Sequence, residues 1–264
     1  MPATSINDIK CAIVTGGYSG LGKAMSESLL RSGKKVILVG RTEEKLQKAT
    51  KDMGAAGHYV LDTGNVKAIP DFIATVTKDH PDVDCIINNA GVQRPFQILG
   101  PDYDFNLDKA DQEIDINIRG PMHLCVGLVP HLNKQPGGAV IVNVSSVLGY
   151  LPSSVINPVY NGSKAWLHFF TTNLRTQLEQ AGSKISVVEI APPTVSTDLH
   201  RERQDPSDNS KDKNSAAMST EEFIKDVEKG WQANSETIAP GPAGSVVPKW
   251  FDAYGKDYNK ATSS

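Results

Sequence analysis

The chain has 264 residues, 39% of them hydrophobic and 22% charged, with a formal net charge of -3. This is an ordinary globular composition that suits one domain with one substantial core, and its slight acidity offers no general attraction for nucleic acid or anionic lipid. The opening MPATSINDIK lacks the apolar stretch of a signal peptide, and no segment approaches the ~20 apolar residues of a membrane span, so a cytoplasmic protein with no membrane partner is expected.

The first apolar run, CAIVTG at 11–16, leads into Thr15-Gly16-Gly17-Tyr18-Ser19-Gly20-Leu21-Gly22 and a helical segment at about 20–32. Glycines between a strand and a helix leave backbone N–H groups bare at the positive helix end, where a pyrophosphate can sit; a plain turn is the competing reading. The second run, KVILVG at 35–40, ends on Gly40-Arg41 and precedes a helix at 42–52. A carboxylate at that point would bind a ribose 2′-hydroxyl, whereas Arg41 can fork onto a 2′-phosphate with Gly40 leaving it room. The expected cofactor is therefore NADP(H) in preference to NAD(H), against the alternative of a solvated arginine starting a helix.

Further along, HYVLD at 58–62 precedes a helix at 66–79, and DCIINNAG at 84–91 precedes a long one at 107–133. GAVIVNVSS at 138–146 leads to a helix at 158–180 that contains Tyr160-Asn161-Gly162-Ser163-Lys164. Four helical residues turn the chain ~400° and advance it ~6 Å, so Tyr160 and Lys164 share one face and could together move a proton. ISVVEIAPP at 185–193 is the sixth apolar run. Beyond it, 197–218 is strongly polar and reads as a mobile surface segment, and Ser219-Thr220-Glu221-Glu222 forms a capping box for a helix to about Asn234. Trp250, Tyr254 and Tyr258 then recur every four residues, a stripe expected to pack a last helix, at 245–262, on the sheet or on a neighbouring subunit.

Cys11, Cys85 and Cys125 each fall inside an apolar run without CxxC spacing and read as buried reduced thiols; the six histidines lack ligand spacing, so no metal site is expected. Six apolar runs alternating with helices predict an α/β fold: a single doubly wound domain over 1–264, with a mostly parallel sheet and helices on both faces. Ligands in such folds bind beyond the carboxyl ends of the strands.

TGGYSGLG, Asn88-Asn89-Ala90-Gly91, Asn117, Ser145-Ser146 and Tyr160-Asn161-Gly162-Ser163-Lys164, in this order over about residues 8–199, resemble the short-chain dehydrogenase/reductase family. The resemblance implies a seven-stranded Rossmann sheet, with 8–199 as the dinucleotide-binding and catalytic core and 197–234 as the region of a substrate lid. It also implies a catalytic tetrad. Tyr160 would be the general acid and base, Ser146 would orient the substrate oxygen, Lys164 would bind the nicotinamide ribose and favour tyrosinate, and Asn117 would hold a relay water. A phenol that ordinarily titrates near ~10 would be drawn down by the neighbouring ammonium and an oxidised nicotinamide. Ser146 lies 14 residues before the tyrosine where the family has 13, and Ser145, on the opposite strand face, is read as structural.

The resemblance further assigns cofactor contacts to Gly16, Tyr18, Ser19, Gly20, Leu21, Gly22, Arg41, Asp62, Asn89, Ala90, Gly91, Tyr160, Lys164, Pro192, Val195 and Thr197. Asp62 has a turn or capping role as its competitor, and Asn89 a purely structural one. Pro192-Pro193 replaces the family's usual Pro-Gly, which stiffens the turn and removes the backbone donor at 193. Together with Val92-Gln93, it resembles a subgroup named for an oxidoreductase of a D-alanyl lipoteichoic acid operon. The resemblance implies an oxidoreductase that interconverts a small-molecule carbonyl and a secondary alcohol, as a homodimer or homotetramer. An NAD-linked alcohol dehydrogenase, a non-catalytic dinucleotide sensor and a scaffold docking through 197–218 stand as alternatives.

Overall fold

The structure is a computed structural model, and it describes residues 4–99 and 105–263. Among the described residues, seven strands form one parallel sheet in the order β3-β2-β1-β4-β5-β6-β7. They are β1 (Cys11–Thr15), β2 (Lys35–Gly40), β3 (Gly57–Val60), β4 (Val83–Asn88), β5 (Ala139–Val144), β6 (Ile185–Ile190) and the two-residue β7 (Thr237–Ile238). The helices between them are α1 (Gly20–Arg31), α2 (Glu43–Met53), α3 (Ile69–Asp79), α4 (Leu107–Ile114), α5 (Gly120–Leu132), α6 (Pro158–Gln180) and α7 (Thr220–Gln232). The chain ends in α8 (Val247–Trp250) and α9 (Lys256–Thr262), joined by a π turn over Phe251–Gly255.

Alternation along the strands divides the core in two. Ala12, Val14, Val36 and Leu38 pack with Met25 of α1, Leu46 of α2 and Phe223 and Val227 of α7 on one face. Cys11, Ile13, Ile37 and Val39 pack with Phe72 and Val76 of α3 and Leu124 and Leu128 of α5 on the other. Because both faces are covered, the strands carry no polar side, which is why β1, β4 and β5 are buried at every position. Strand order reverses between β1 and β4, so their carboxyl ends flank the crevice where doubly wound folds bind ligands.

Three segments differ from the sequence expectation. The helix read at 107–133 is broken by a π turn over Asp115–Arg119. Pro121 brings no N–H to the Asn117 carbonyl four residues back, and a Cβ on Gly120 would stand 2.6 Å from the Thr63 carbonyl oxygen, so the chain is held tightly against the loop after β3. The polar stretch 197–218 lies at the surface, with many residues exposed, but it is tied down at several points. Val195 and Met218 pair as a parallel bridge, Ala217 and His200 are buried, and Arg94 binds Glu202 at 2.9 Å. Some of its polar side chains reach other loops, which composition cannot reveal. The terminal aromatic stripe packs along α6 and not on the sheet: the Trp250 ring meets His168 at 4.5 Å, and the Tyr258 hydroxyl lies 2.8 Å from Thr176 Oγ1. Among the described residues, no helix is long and apolar enough to cross a membrane.

Candidate active site

A cleft of about 580 Å³ opens at the carboxyl ends of the strands. At one end lies the turn between β1 and α1. Gly16 and Gly20 adopt left-handed φ angles of +65° and +49°, which a side chain would strain, and a Cβ on Gly22 would fall 2.2 Å from the Gly16 carbonyl oxygen. Gly16, Tyr18, Ser19, Gly20 and Leu21 line the cleft, while Gly22 is buried beneath them, closing the turn. Thr15 braces this turn in a way sequence reasoning missed. Its Oγ1 accepts from the N–H groups of Asn89 (2.9 Å) and Ala90 (3.0 Å), and the Asn89 amide donates to the Thr15 carbonyl at 2.9 Å. Asn89, Ala90 and Gly91 therefore meet the turn across the strand-order reversal. Asn88 faces the core instead, donating to Asn143 Oδ1 at 2.8 Å.

The end of β2 brings Arg41 and Gly40 to the same cleft, with Asp62 opposite. The space beside Gly40 is taken by the Tyr18 ring, from which a Cβ at 40 would be 2.3 Å; the glycine makes room for the tyrosine, not for a phosphate as expected. Arg41 is exposed at the rim. Asp62 Oδ1 accepts from the Gly64 N–H at 3.0 Å, so the turn role expected as its competitor is present on a residue that also lines the cleft.

Ser146, Tyr160 and Lys164 line the other end. The strand twists Ser145 to the far side, where its hydroxyl donates to Glu189 Oε1 at 2.5 Å, and leaves Ser146 beside the Tyr160 hydroxyl. Ser146 Oγ accepts from the Leu148 N–H at 3.2 Å, and the Pro192 carbonyl lies 3.5 Å away. That carbonyl also accepts from the Val147 N–H at 2.9 Å, which ties the Pro-Pro turn to the serine loop. The Lys164 ammonium sits 5.5 Å from the Tyr160 ring centroid and donates to the Val144 carbonyl at 2.8 Å.

Both groups are buried, and burial governs them. It pushes the Tyr160 phenol up, opposed by the Ser146 hydrogen bond and reinforced by Glu113. It pulls the Lys164 ammonium down to about 8, opposed by the carboxylates of Glu113 and Glu189. In the protein alone, desolvation thus outweighs the lowering that Ser146 supplies; the lowering expected of the phenol is a joint one, from Lys164 and an oxidised nicotinamide. Neither carboxylate was evident from sequence: Glu113 is in α4 and Glu189 in β6, with no motif marking them.

Asn117 lies in the π turn with its side chain behind the wall. Its Oδ1 accepts from the Val92 N–H at 3.0 Å, and its Nδ2 donates to the Val92 carbonyl at 2.9 Å and to Ser163 Oγ at 3.2 Å. The amide is a clamp on the chain after β4, and Asn117 is not among the residues that line the cleft. Pro192, Val195 and Thr197 line the cleft. The Val195–Met218 bridge runs from Met218 N–H to the Thr194 carbonyl and from Ser196 N–H to the Met218 carbonyl, so this pairing spares the Val195 N–H. Over the mouth, His200 Nδ1 lies 2.7 Å from Gln93 Oε1 and Arg203 donates to the same oxygen at 3.2 Å. Sequence reasoning had missed these as well, because they join residues more than a hundred positions apart.

A bare-backbone cradle at one end and a buried Tyr-Lys-Ser group at the other, joined by one cleft, fit a dinucleotide laid across the strand ends. The short chain dehydrogenase family description matches residues 10–208. The uncharacterized oxidoreductase DltE of Bacillus subtilis (strain 168) is 34% identical over 193 residues, covering 73% of this chain and 74% of that protein. In fold, the chain is similar to a short-chain dehydrogenase from Sphingobium yanoikuyae in complex with NADPH, with a TM-score of 0.78 and 21% identity over 97% of this chain and 96% of that one. It is also similar to a short chain dehydrogenase/reductase from Burkholderia phymatum in complex with NAD, with a TM-score of 0.77 and 21% identity over 90% of each. The matched family description, which spans the cleft and most of the sheet, shows that this chain belongs to the short chain dehydrogenase family.

Proposed function

We propose that the protein is an NADP(H)-dependent oxidoreductase interconverting a carbonyl and a secondary alcohol through Asn117, Ser146, Tyr160 and Lys164. Hydride transfer is the chemistry the dinucleotide supplies when bound. The chain's residues position and polarise. Tyr160 gives its phenolic proton to the substrate oxygen in reduction and takes it back in oxidation, and Ser146 donates a second hydrogen bond to that oxygen. Lys164 adds positive charge beside the phenol and a donor for the nicotinamide ribose, while Asn117 fixes the chain at Val92 and offers its carbonyl to a relay water. The glycine turn, with Gly16, Ser19, Gly20 and Leu21, would hold the pyrophosphate; Arg41 and Tyr18 the 2′-phosphate end; Asp62 the adenine; and Val195 and Thr197 the carboxamide.

The observation that carries this reading is the meeting of Ser146, Tyr160 and Lys164 on one wall of the cleft whose far end is the glycine turn. Similar folds hold NADPH in one case and NAD in another, so the preference for NADP(H) rests on Arg41 at the end of β2. An NAD-linked dehydrogenase is the second reading, favoured by the exposure of that arginine at the rim. The 197–218 segment would serve as a substrate lid, consistent with its bonds to Gln93. A homodimer or homotetramer through α5 and α6 is supported by the outward-facing Val126, 63% exposed.

The test is oxidation of NADPH and of NADH against ketones, aldehydes and quinones. Wild-type turnover with at least one carbonyl is expected, and Tyr160→Phe should lose at least ~100-fold in kcat while still binding the dinucleotide. Turnover that survives Tyr160→Phe would refute the assignment.

A further inference from the structure

Behind the wall that carries Ser146 and Lys164 lies a second polar group with no part in the roles above. Glu189 of β6 is completely buried. Its Oε1 accepts from the Ser145 hydroxyl at 2.5 Å, and its Oε2 accepts from the Tyr150 hydroxyl at 2.8 Å and pairs with His168 Nδ1 at 2.9 Å. These donors come from three places. Ser145 immediately precedes Ser146 at the end of β5. Tyr150 closes the helical turn Val147–Gly149, whose first two residues line the cleft. His168 stands one helical turn beyond Lys164 and two beyond Tyr160 on α6.

A carboxylate removed from water costs several kcal/mol unless its lone pairs are filled, and an apolar side chain would fill such a site at lower cost. Its presence therefore calls for a gain beyond packing. The surroundings keep solvent out: Trp250 and Phe251 of the C-terminal helical run set their rings against His168 at 4.5 and 6.0 Å, and His168 Nε2 has no hydrogen-bond partner among the described residues. In so dry a place a fixed charge acts at longer range than in water.

We propose that Glu189 is a positioning residue for the tetrad, tying the serine strand, the Val147–Tyr150 turn and the tyrosine-lysine helix to one carboxylate and setting a fixed negative charge behind Lys164. The proposal rests on the oxidoreductase reading for its catalytic consequence, though not for its electrostatic one. The ionisable and charged groups facing this region are Glu113 from α4, Tyr160, His168 and Arg175 from α6, and Tyr150 from the turn. Arg175 is engaged elsewhere, donating to the Val187 and Glu236 carbonyls. Two buried carboxyl groups thus act on Lys164, and Glu189 is the one with all its visible partners in place.

The experiment is the titration of Lys164 followed by NMR of labelled lysine side chains, with the resonance assigned by a Lys164→Met variant. It needs neither cofactor nor substrate. Glu189→Gln keeps the shape and removes the charge, so the Lys164 midpoint should move down by about one pH unit. Tyr150→Phe keeps the charge and removes one tether, so the midpoint should stay within ~0.3 units while kcat falls about threefold to tenfold. In Glu189→Gln, the alkaline limb of the pH–kcat profile should follow the lysine to lower pH, a displacement that a merely structural loss would not cause. An unchanged Lys164 midpoint in Glu189→Gln overturns the electrostatic half, and an unchanged kcat in Tyr150→Phe overturns the tether. Should Glu189→Gln fail to fold, Glu189→Met, which fills the site with an uncharged chain of similar length, decides the electrostatic half by the same downward shift of Lys164, and Tyr150→Phe decides the tether. A wild-type protein that reduces no carbonyl would refute the oxidoreductase reading and leave the lysine titration to judge Glu189 by itself.

Discussion

Replacing Glu113 with Gln should change how stability depends on pH. Glu113 is buried in α4, and its Oε1 has no hydrogen-bond partner among the described residues. The nearby Arg94 guanidinium is occupied by Glu202 (2.9 Å), the Lys109 carbonyl (2.8 Å) and Gln112 Oε1 (2.7 Å). Burial therefore prevails over the Arg94 charge and pushes the carboxyl from its ordinary 4.5 to about 8. Between those values the folded state holds a proton that the unfolded chain has released, so stability falls as pH rises through this window and is level on either side. Each pH unit is worth ~1.4 kcal/mol, which sets a ceiling of ~5 kcal/mol, and relaxation of buried sites lowers the realistic figure to ~2–3 kcal/mol. Urea unfolding of both proteins at pH 5.5, 7 and 8.5 measures it. Wild type should lose ~1–2 kcal/mol relative to Glu113→Gln across this range, since the first pH unit of the window lies below it. Parallel stability profiles would refute the reasoning, and a wild-type advantage growing with pH would reverse its sign.

Two further substitutions test the cofactor end of the cleft. Arg41→Ala should weaken NADPH binding ~10- to 100-fold, the worth of a charge-assisted hydrogen bond, and change NADH less than ~3-fold by fluorescence titration; equal losses would overturn the NADP(H) assignment. Gly40→Ala places a Cβ 2.3 Å from the Tyr18 ring and must expel it, so both dinucleotides should bind at least ~10-fold more weakly; unchanged affinity would show that Tyr18 does not shape the site.

The parallel sheet could be read from sequence because doubly buried strands are apolar throughout, and β1, β2 and β5 stand close to the runs that announced them. β7 could not: two residues, Thr237 and Ile238, carry no periodicity. The tyrosine and lysine were legible because both lie on one helix at fixed spacing, and the glycine turn because a Cβ there meets backbone. The break in the helix at Asp115–Arg119 was in principle visible at Gly120-Pro121, where a proline removes an i→i−4 donor, but the same pair is tolerated in a helix's first turn. What decides between those outcomes is the contact of Gly120 with Thr63, a residue from another loop.

The same distinction explains why the roles assigned to Tyr160 and Lys164 could be approached from sequence while their ionisation could not. Spacing along α6 places an ammonium near a phenol and suggests that the phenol is drawn down. In the fold both are buried, and the terms opposing or reinforcing burial come from Ser146 after β5, Glu113 in α4 and Glu189 in β6. A cation pulled down to about 8 by burial against the opposition of two carboxyl groups is poised differently from one set by its own helix: neutralising either carboxyl lowers it, whereas neutralising Glu113 also relieves the phenol. Glu113→Gln and Glu189→Gln should therefore share the downward effect on Lys164 and part at Tyr160, a divergence that ultraviolet titration of the phenol can detect.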